Sequence, residues 1–117
     1  MSNTLPLRYI VQGHLGETLP IKTFELDFDD NKNVGVLKTS ICENEDLKEF
    51  ICKNEDLTLW KVDIPVNDRR IKQLKTSLVE KVFNHKCEKL SDNKEIIKDI
   101  FTPHLKKNHI HIIASNG

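Results

Sequence analysis

The chain has 117 residues, 38% of them hydrophobic and 31% charged, and its 18 basic and 18 acidic side chains give a formal net charge of zero. That length suits one domain with a modest core, and the neutral balance excludes a bulk electrostatic pull toward nucleic acid. No apolar run approaches the ~20 residues that span a bilayer, the first residues lack the basic start and long apolar stretch of a standard secretory signal, and Cys42, Cys52 and Cys87, without Cys-x-x-Cys spacing, read as free thiols of a reducing compartment.

Residues 5–12 set Leu7, Tyr9 and Val11 on one face of a strand. Gly13-His14-Leu15-Gly16 reads as a turn, because glycine tolerates positive φ. From Pro20 to Leu26, Ile21, Thr23 and Glu25 alternate with Lys22, Phe24 and Leu26, so the two runs form a hairpin with a long loop. Asp27 to Asn33 is an acidic, polar turn. Val34, Leu37 and Ile41 then fall on one helical face, which predicts a helix over Asn33–Glu43 with Asn33 as its N-cap. Leu47, Phe50 and Ile51 fit a further short helix within 44–54. The tetrapeptide Asn-Glu-Asp-Leu occurs at 44–47 and again at 54–57, but nothing else repeats with it, so it is no structural repeat.

Leu57 to Pro65 alternates with one offset and holds the only Trp. Trp60, Val62 and Ile64 share one strand face; Leu57, Leu59 and Lys61 share the other. With apolar residues on both faces the strand is expected to lie inside the sheet, with Trp60 in the core. Asn67 or Asp68 can cap one helix bearing Ile71, Leu74, Leu78 and Val82. Asn84 to Leu90 reads as a polar connection. Asp92 with Glu95 resembles a capping box that opens a short helix with Ile96, Ile97, Ile100 and Phe101, ahead of Pro103. His109 to Ala114 is a compact apolar strand, followed by the polar tail Ser115-Asn116-Gly117.

This order predicts a single α+β domain over residues 1–117: a ubiquitin-like β-grasp, with a mixed sheet, one crossing helix on one sheet face and additional short helices. The strands Leu7–Gln12 and His109–Ala114 should be central and parallel. A ferredoxin-like sandwich would need the order βαββαβ, whereas here two strands precede the first helix. The charge is unevenly divided: residues 1–60 hold 6 Lys or Arg against 11 Asp or Glu, and residues 61–117 hold 12 against 7. Attraction between the two halves on folding accounts for this without a charged partner.

Leu57-Thr58-Leu59-Trp60-Lys61-Val62 resembles the Leu-x-Leu-Trp-Lys-Val form of the translocation motif in the N-terminal domain of Crinkler effectors of oomycetes and fungi. The likeness extends along the chain. Leu19-Pro20-Ile21-Lys22-Thr23 stands where such domains have Phe-Pro-Val-Lys-Ile. Asn33-Val34-Gly35-Val36-Leu37-Lys38 matches the Asn-Val-Gly-x-Leu-Lys that opens the main helix, and Ile64-Pro65 matches the Ile-Pro that follows the motif strand. Leu90-Ser91 through Phe101 approximates a Leu-Ser-x-x-x-x-Ile-x-x-x-Phe helix, and His109 to Ile113 a closing His-x-x-Val strand. The Phe-Leu-Ala-Lys core of the oomycete form is lacking, and the Trp-Lys form is the one associated with fungal members.

The resemblance implies a non-enzymatic leading domain that serves secretion and translocation of an attached effector region into host cells. Leu57, Leu59, Trp60, Lys61 and Val62 would be its translocation motif. It further implies a protein partner or a C-terminal effector domain as partner, no cofactor, no small-molecule substrate, no membrane span, and a secreted protein acting in the host cell, with the host nucleus among its destinations. Crinkler N-terminal domains are usually followed by an effector domain, often nuclease-like or kinase-like, and this chain has the length of the N-terminal domain alone. A rival reading from another class is an intracellular ubiquitin-like adaptor that binds a signalling partner. Its tail ends in one glycine, where ubiquitin-style conjugation needs two.

The residues themselves assemble no catalytic site. Ser77, Ser91 and Ser115 lack the Gly-x-Ser-x-Gly setting of a nucleophile elbow, and Gly13 and Gly16 are not followed by the Lys-Ser or Lys-Thr of a phosphate loop. Cys42 reads as a helix residue near the core. Glu43, Glu45, Asp46 and Glu49 read as a solvated face. His109 and His111 are expected on one face of the last strand, about 7 Å apart; no third ligand stands at supporting spacing, so a polar strand face is expected and no metal. His14 and His85 read as exposed loop residues. Arg69, Lys72 and Lys75 would line one flank of an amphipathic helix, with too few aromatics to stack on bases.

Overall fold

The structure, a computed structural model, describes residues 4–12, 23–43, 57–75, 77–101, 105 and 107–116. The elements, in order, are β1 (Thr4–Gln12), β2 (Thr23–Asp29), α1 (Val34–Cys42), β3 (Leu57–Pro65), a 3₁₀ helix (Arg69–Lys75), α2 (Val79–Phe83), a 3₁₀ turn (Asn84–Lys86), β4 (Glu88–Lys89), α3 (Ile97–Ile100) and β5 (His109–Asn116). The five strands form one sheet in the order β2-β1-β5-β3-β4. β1 and β5 are parallel, with Tyr9 opposite Ile112 and Gln12 opposite Ser115, and every other pairing is antiparallel. First and last strands are thus central parallel neighbours, as a β-grasp requires. The short helix expected within 44–54, the turn at Gly13–Gly16, Cys52 and His104 lie outside the described residues.

The sheet is buried on both faces, where the sequence suggests a helix layer on one. On the first face Leu5, Leu7, Tyr9, Phe28, Leu57, Leu59, Ile112 and Ala114 pack under α1 and α3, which contribute Val34, Leu37, Ile41, Ile97 and Ile100. On the second, Ile10, Trp60, Val62, Ile64, Ile110 and Ile113 meet Leu74, Val79 and Phe83 from the 3₁₀ helix and α2. β1, β3 and β5 feed both clusters, which is why their apolar residues occur in runs as well as in alternation.

The start of α1 shows why its opening sequence is what it is. Asn33 Oδ1 accepts from the Val36 amide at 2.9 Å, the N-cap read from the sequence. The two preceding amides, which a helix cannot satisfy itself, donate to the backbone of the segment before α3: Val34 to Glu95 O at 3.0 Å and Gly35 to Asn93 O at 2.9 Å. That strap is fixed further by the Ile97 amide on Lys32 O and the Lys98 amide on Asp30 O. A Cβ on Gly35 would stand 3.4 Å from Asn93 O and 3.5 Å from Asn93 Cβ, ordinary contact distances, so the strap lies within a methyl group's reach of the helix.

Three local expectations fail. The single helix through Ile71, Leu74, Leu78 and Val82 is two short pieces. Leu78 adopts extended angles (φ −70°, ψ 150°) as the residue before α2 and is half exposed, while Leu74, Val79 and Phe83 are buried. The break shifts the helical phase by one residue and brings Phe83, the largest apolar side chain nearby, into the core; that burial outweighs continued helical hydrogen bonding. Asp92 and Glu95 do not cap a helix. Asp92 Oδ1 accepts from the Lys94 amide at 2.9 Å, and Ile96, without a side-chain cap, precedes α3. The polar connection Asn84–Leu90 contains β4, whose two residues oppose Trp60 and Lys61.

Candidate functional site

The motif strand is enclosed. β3 lies between β5 and β4, and the carbonyl of Leu59 accepts from the Leu90 amide at 2.8 Å. Leu57 and Leu59 point into the first cluster, Trp60 and Val62 into the second. All four are buried, Leu59 completely and Trp60 to 9% exposure. The Trp60 indole Nε1 donates to Ser115 Oγ at 3.2 Å, which satisfies its polar end within the sheet. Lys61 is the exception. It is half-buried, and its Nζ stands 5.7 Å from the ring centre of Phe101, a cation over an aromatic face. The five residues are near neighbours in sequence, yet they divide between two opposite sheet faces, so no one surface presents them together.

Other chemistry-bearing groups among the described residues are engaged in local contacts. Burial, reinforced by Glu43, pushes the Cys42 thiol up; burial, reinforced by Glu80, does the same for Cys87, whose Sγ donates to Asn84 O at 3.3 Å. Both sulfurs are thereby held in the poorly nucleophilic protonated form. Asp68 Oδ1 accepts from the Arg70 amide at 2.8 Å, and its carboxylate takes the Arg70 guanidinium at 2.6 Å. The hydrogen bonds from Arg70 hold Asp68 below the usual carboxylate range, against the effect of burial. Arg70 in turn lies 5.1 Å over the Phe83 ring. It therefore belongs to the packing of α2, while Arg69 and Lys72 are exposed. Lys38 is pushed down by burial and by Lys89.

His109 and His111 do not share a polar face. His109 Nδ1 lies 2.8 Å from Asp63 Oδ1 near the surface, whereas His111 is buried and its Nδ1 accepts from the Arg8 amide at 3.1 Å. Opposite His111, β3 carries one extra residue: Lys61 opposes Ile112 and Ile64 opposes Ile110. Among the described residues no three His, Cys, Asp or Glu side chains gather as metal ligands. Two contacts have no counterpart among the sequence expectations: Ser115 as the partner of Trp60, and Phe83 as the seat of Arg70. Both link residues distant in sequence, or across a helix break, that carry no periodic signal.

Neither the curated proteins nor the solved structures return a match to this chain. A family model does: that of the Crinkler effector protein N-terminal domain, over residues 6–115, from the early part of β1 to the end of β5. With nearly its whole length covered, and the β-grasp order of its sheet in agreement, the chain belongs to the Crinkler effector N-terminal domain family.

Proposed function

We propose that this domain is non-catalytic and serves the secretion of an attached effector region and its delivery into host cells, and that Leu57, Leu59, Trp60, Lys61 and Val62 contribute by specifying the fold. The observation that carries the reading of the motif is the burial of Leu57, Leu59, Trp60 and Val62 on two opposite sheet faces. A receptor that read these side chains directly would have to unfold the domain first. Family membership supports the delivery role, and the raised thiols of Cys42 and Cys87 fit a non-catalytic reading of those two residues. The partner is then the attached effector region or a protein met during delivery, and the host nucleus is one destination for the cargo.

The test compares delivery of a reporter fused behind the domain with the stability of the same variants. Leu59→Ala alters the motif strand. Leu37→Ala alters the same core from α1, outside the motif. Delivery is expected to fall equally in the two variants where they are equally destabilised. Normal delivery by a destabilised Leu37→Ala, beside failure of Leu59→Ala, would return the motif to the role of a recognition signal.

A further inference from the structure

His111 is the one polar or charged side chain among the described residues that is buried, at 5% exposure. It sits where β1 and β5 part. Their parallel ladder begins at Tyr9 and Ile112 and runs only toward the far end of both strands. The Arg8 amide, one residue before the ladder, donates to His111 Nδ1. Strand alternation points the backbone nitrogens of residues 6 and 8 the same way, and residue 6 is a proline with no N–H to place there. The imidazole thus supplies a hydrogen bond between β1 and β5 on the Thr4–Arg8 side of the ladder, beside the packing of Leu5 and Leu7 in the first cluster. Across from it β3 bulges, so that Val62 and Asp63 together take the place opposite His111.

A backbone amide can only donate, so Nδ1 must carry a lone pair and the ring is neutral in this fold. A proton on Nδ1 would face the Arg8 N–H donor to donor and add a charge inside the sheet. The charged groups on the flanking strands are Arg8, paired with Glu25 of β2; Lys61, over Phe101; and Asp63, beside His109. Glu25 is thus paired with Arg8, and Asp63, in the bulge opposite His111, holds the His109 ring through one of its two oxygens. The helices meet the two sheet faces through apolar side chains, Val34, Leu37 and Ile41 on one and Leu74, Val79 and Phe83 on the other.

We propose that His111 is an acid-sensitive bolt: proton uptake by its ring breaks its bond to the Arg8 amide and loosens the Arg8 end of β1 against β5. The bolted state binds fewer protons than the released one. Its stability is therefore complete above the range in which a free imidazole protonates, near pH ~6.5, and falls as pH drops through that range, by up to about tenfold in equilibrium constant per pH unit for one proton. The device is independent of the delivery role.

Amide hydrogen exchange of the wild-type domain at pH 7.5 and 5.0, corrected for intrinsic rates, tests it. Protection of the Arg8 amide is expected to fall about tenfold or more, while that of Leu90, bonded to Leu59 O at the other side of the sheet, holds. Unchanged protection at Arg8, or an equal loss at Leu90, would overturn the proposal. His111→Asn supplies an acceptor at the same branch point that does not titrate, and should abolish the acid loss at Arg8; an acid loss that persists in it argues against the bolt. In His109→Gln the acid loss should remain, and its disappearance would assign the effect to His109 instead.

Discussion

Replacing Trp60 by alanine tests the core assignment most directly. Trp60 opposes Ile113 of β5 and Lys89 of β4, and packs in one cluster with Ile10, Val62, Ile64, Leu74, Val79 and Phe83. A tryptophan buries up to ~250 Å², which at ~25 cal/mol per Å² is an upper figure of about 6 kcal/mol. Alanine keeps part of that area and the neighbours relax into part of the space, so the expected loss is about 3–5 kcal/mol. The Ser115 hydroxyl left behind is half-exposed and can turn to water, so it adds little. Against a total stability of about 5–15 kcal/mol for a domain of this kind, the variant would be severely weakened. Urea denaturation must be followed by far-UV circular dichroism, because Trp60 is the only tryptophan and its fluorescence vanishes with it. A loss under about 1 kcal/mol, the range typical of surface substitutions rather than large buried aromatics, would refute the burial argument.

At Gly35, alanine should be accepted within about 1 kcal/mol, because its contacts at 3.4–3.5 Å are ordinary and it gains helix propensity; leucine should force the 93–95 strap off α1 and lower the urea midpoint clearly, and equal midpoints would remove the strap from the account. Asp68 is held below its unfolded range by Arg70, so it contributes stability above pH ~4 that is lost as pH falls through its folded value; Asp68→Asn should be less stable than wild type at pH 7 and show a shallower decline below pH 4, measured by urea titration across pH. Lys61→Gln should shift stability by less than about 1 kcal/mol, the scale of its cation–π contact with Phe101, and delivery of an attached reporter should be unchanged; a stable variant that fails to deliver would identify Lys61 as a read residue.

The backbone of the fold is legible in the sequence because its signals are local. Asn33 with Val34, Leu37 and Ile41 specifies a capped, one-faced helix, and Leu57 to Ile64 specifies a strand buried on both sides. The parallel pairing of β1 with β5 follows from element order. What cannot be read there depends on contacts between distant segments. The split before Leu78 is decided by which apolar residues the second sheet face can take, and periodicity alone favours the continuous alternative. β4 has two exposed residues and no pattern to betray it; the neighbouring edge of β3 creates it. His111 is buried in β5, between β1 and β3, by neighbours distant in sequence, whereas a polar residue in an alternating run reads as surface.

The motif strand also explains how a short sequence can identify a family without forming a surface. β3 supplies side chains to both hydrophobic clusters, and it borders β5, the strand that joins both halves of the sheet. Such a strand needs large apolar residues at Leu57, Leu59, Trp60, Val62 and Ile64, and its charges fall at Asp63, which is exposed, and at Lys61, which lies over Phe101. The indole must further be placed where Ser115 can take its N–H, which fixes the register of β3 against β5. Burial at Leu57, Leu59, Trp60 and Val62 is what the proposed structural role of Leu-x-Leu-Trp-Lys-Val rests on. On that proposal a change at any of the four buried positions opens a gap in one of the two clusters that β3 separates, and stability and delivery fall together.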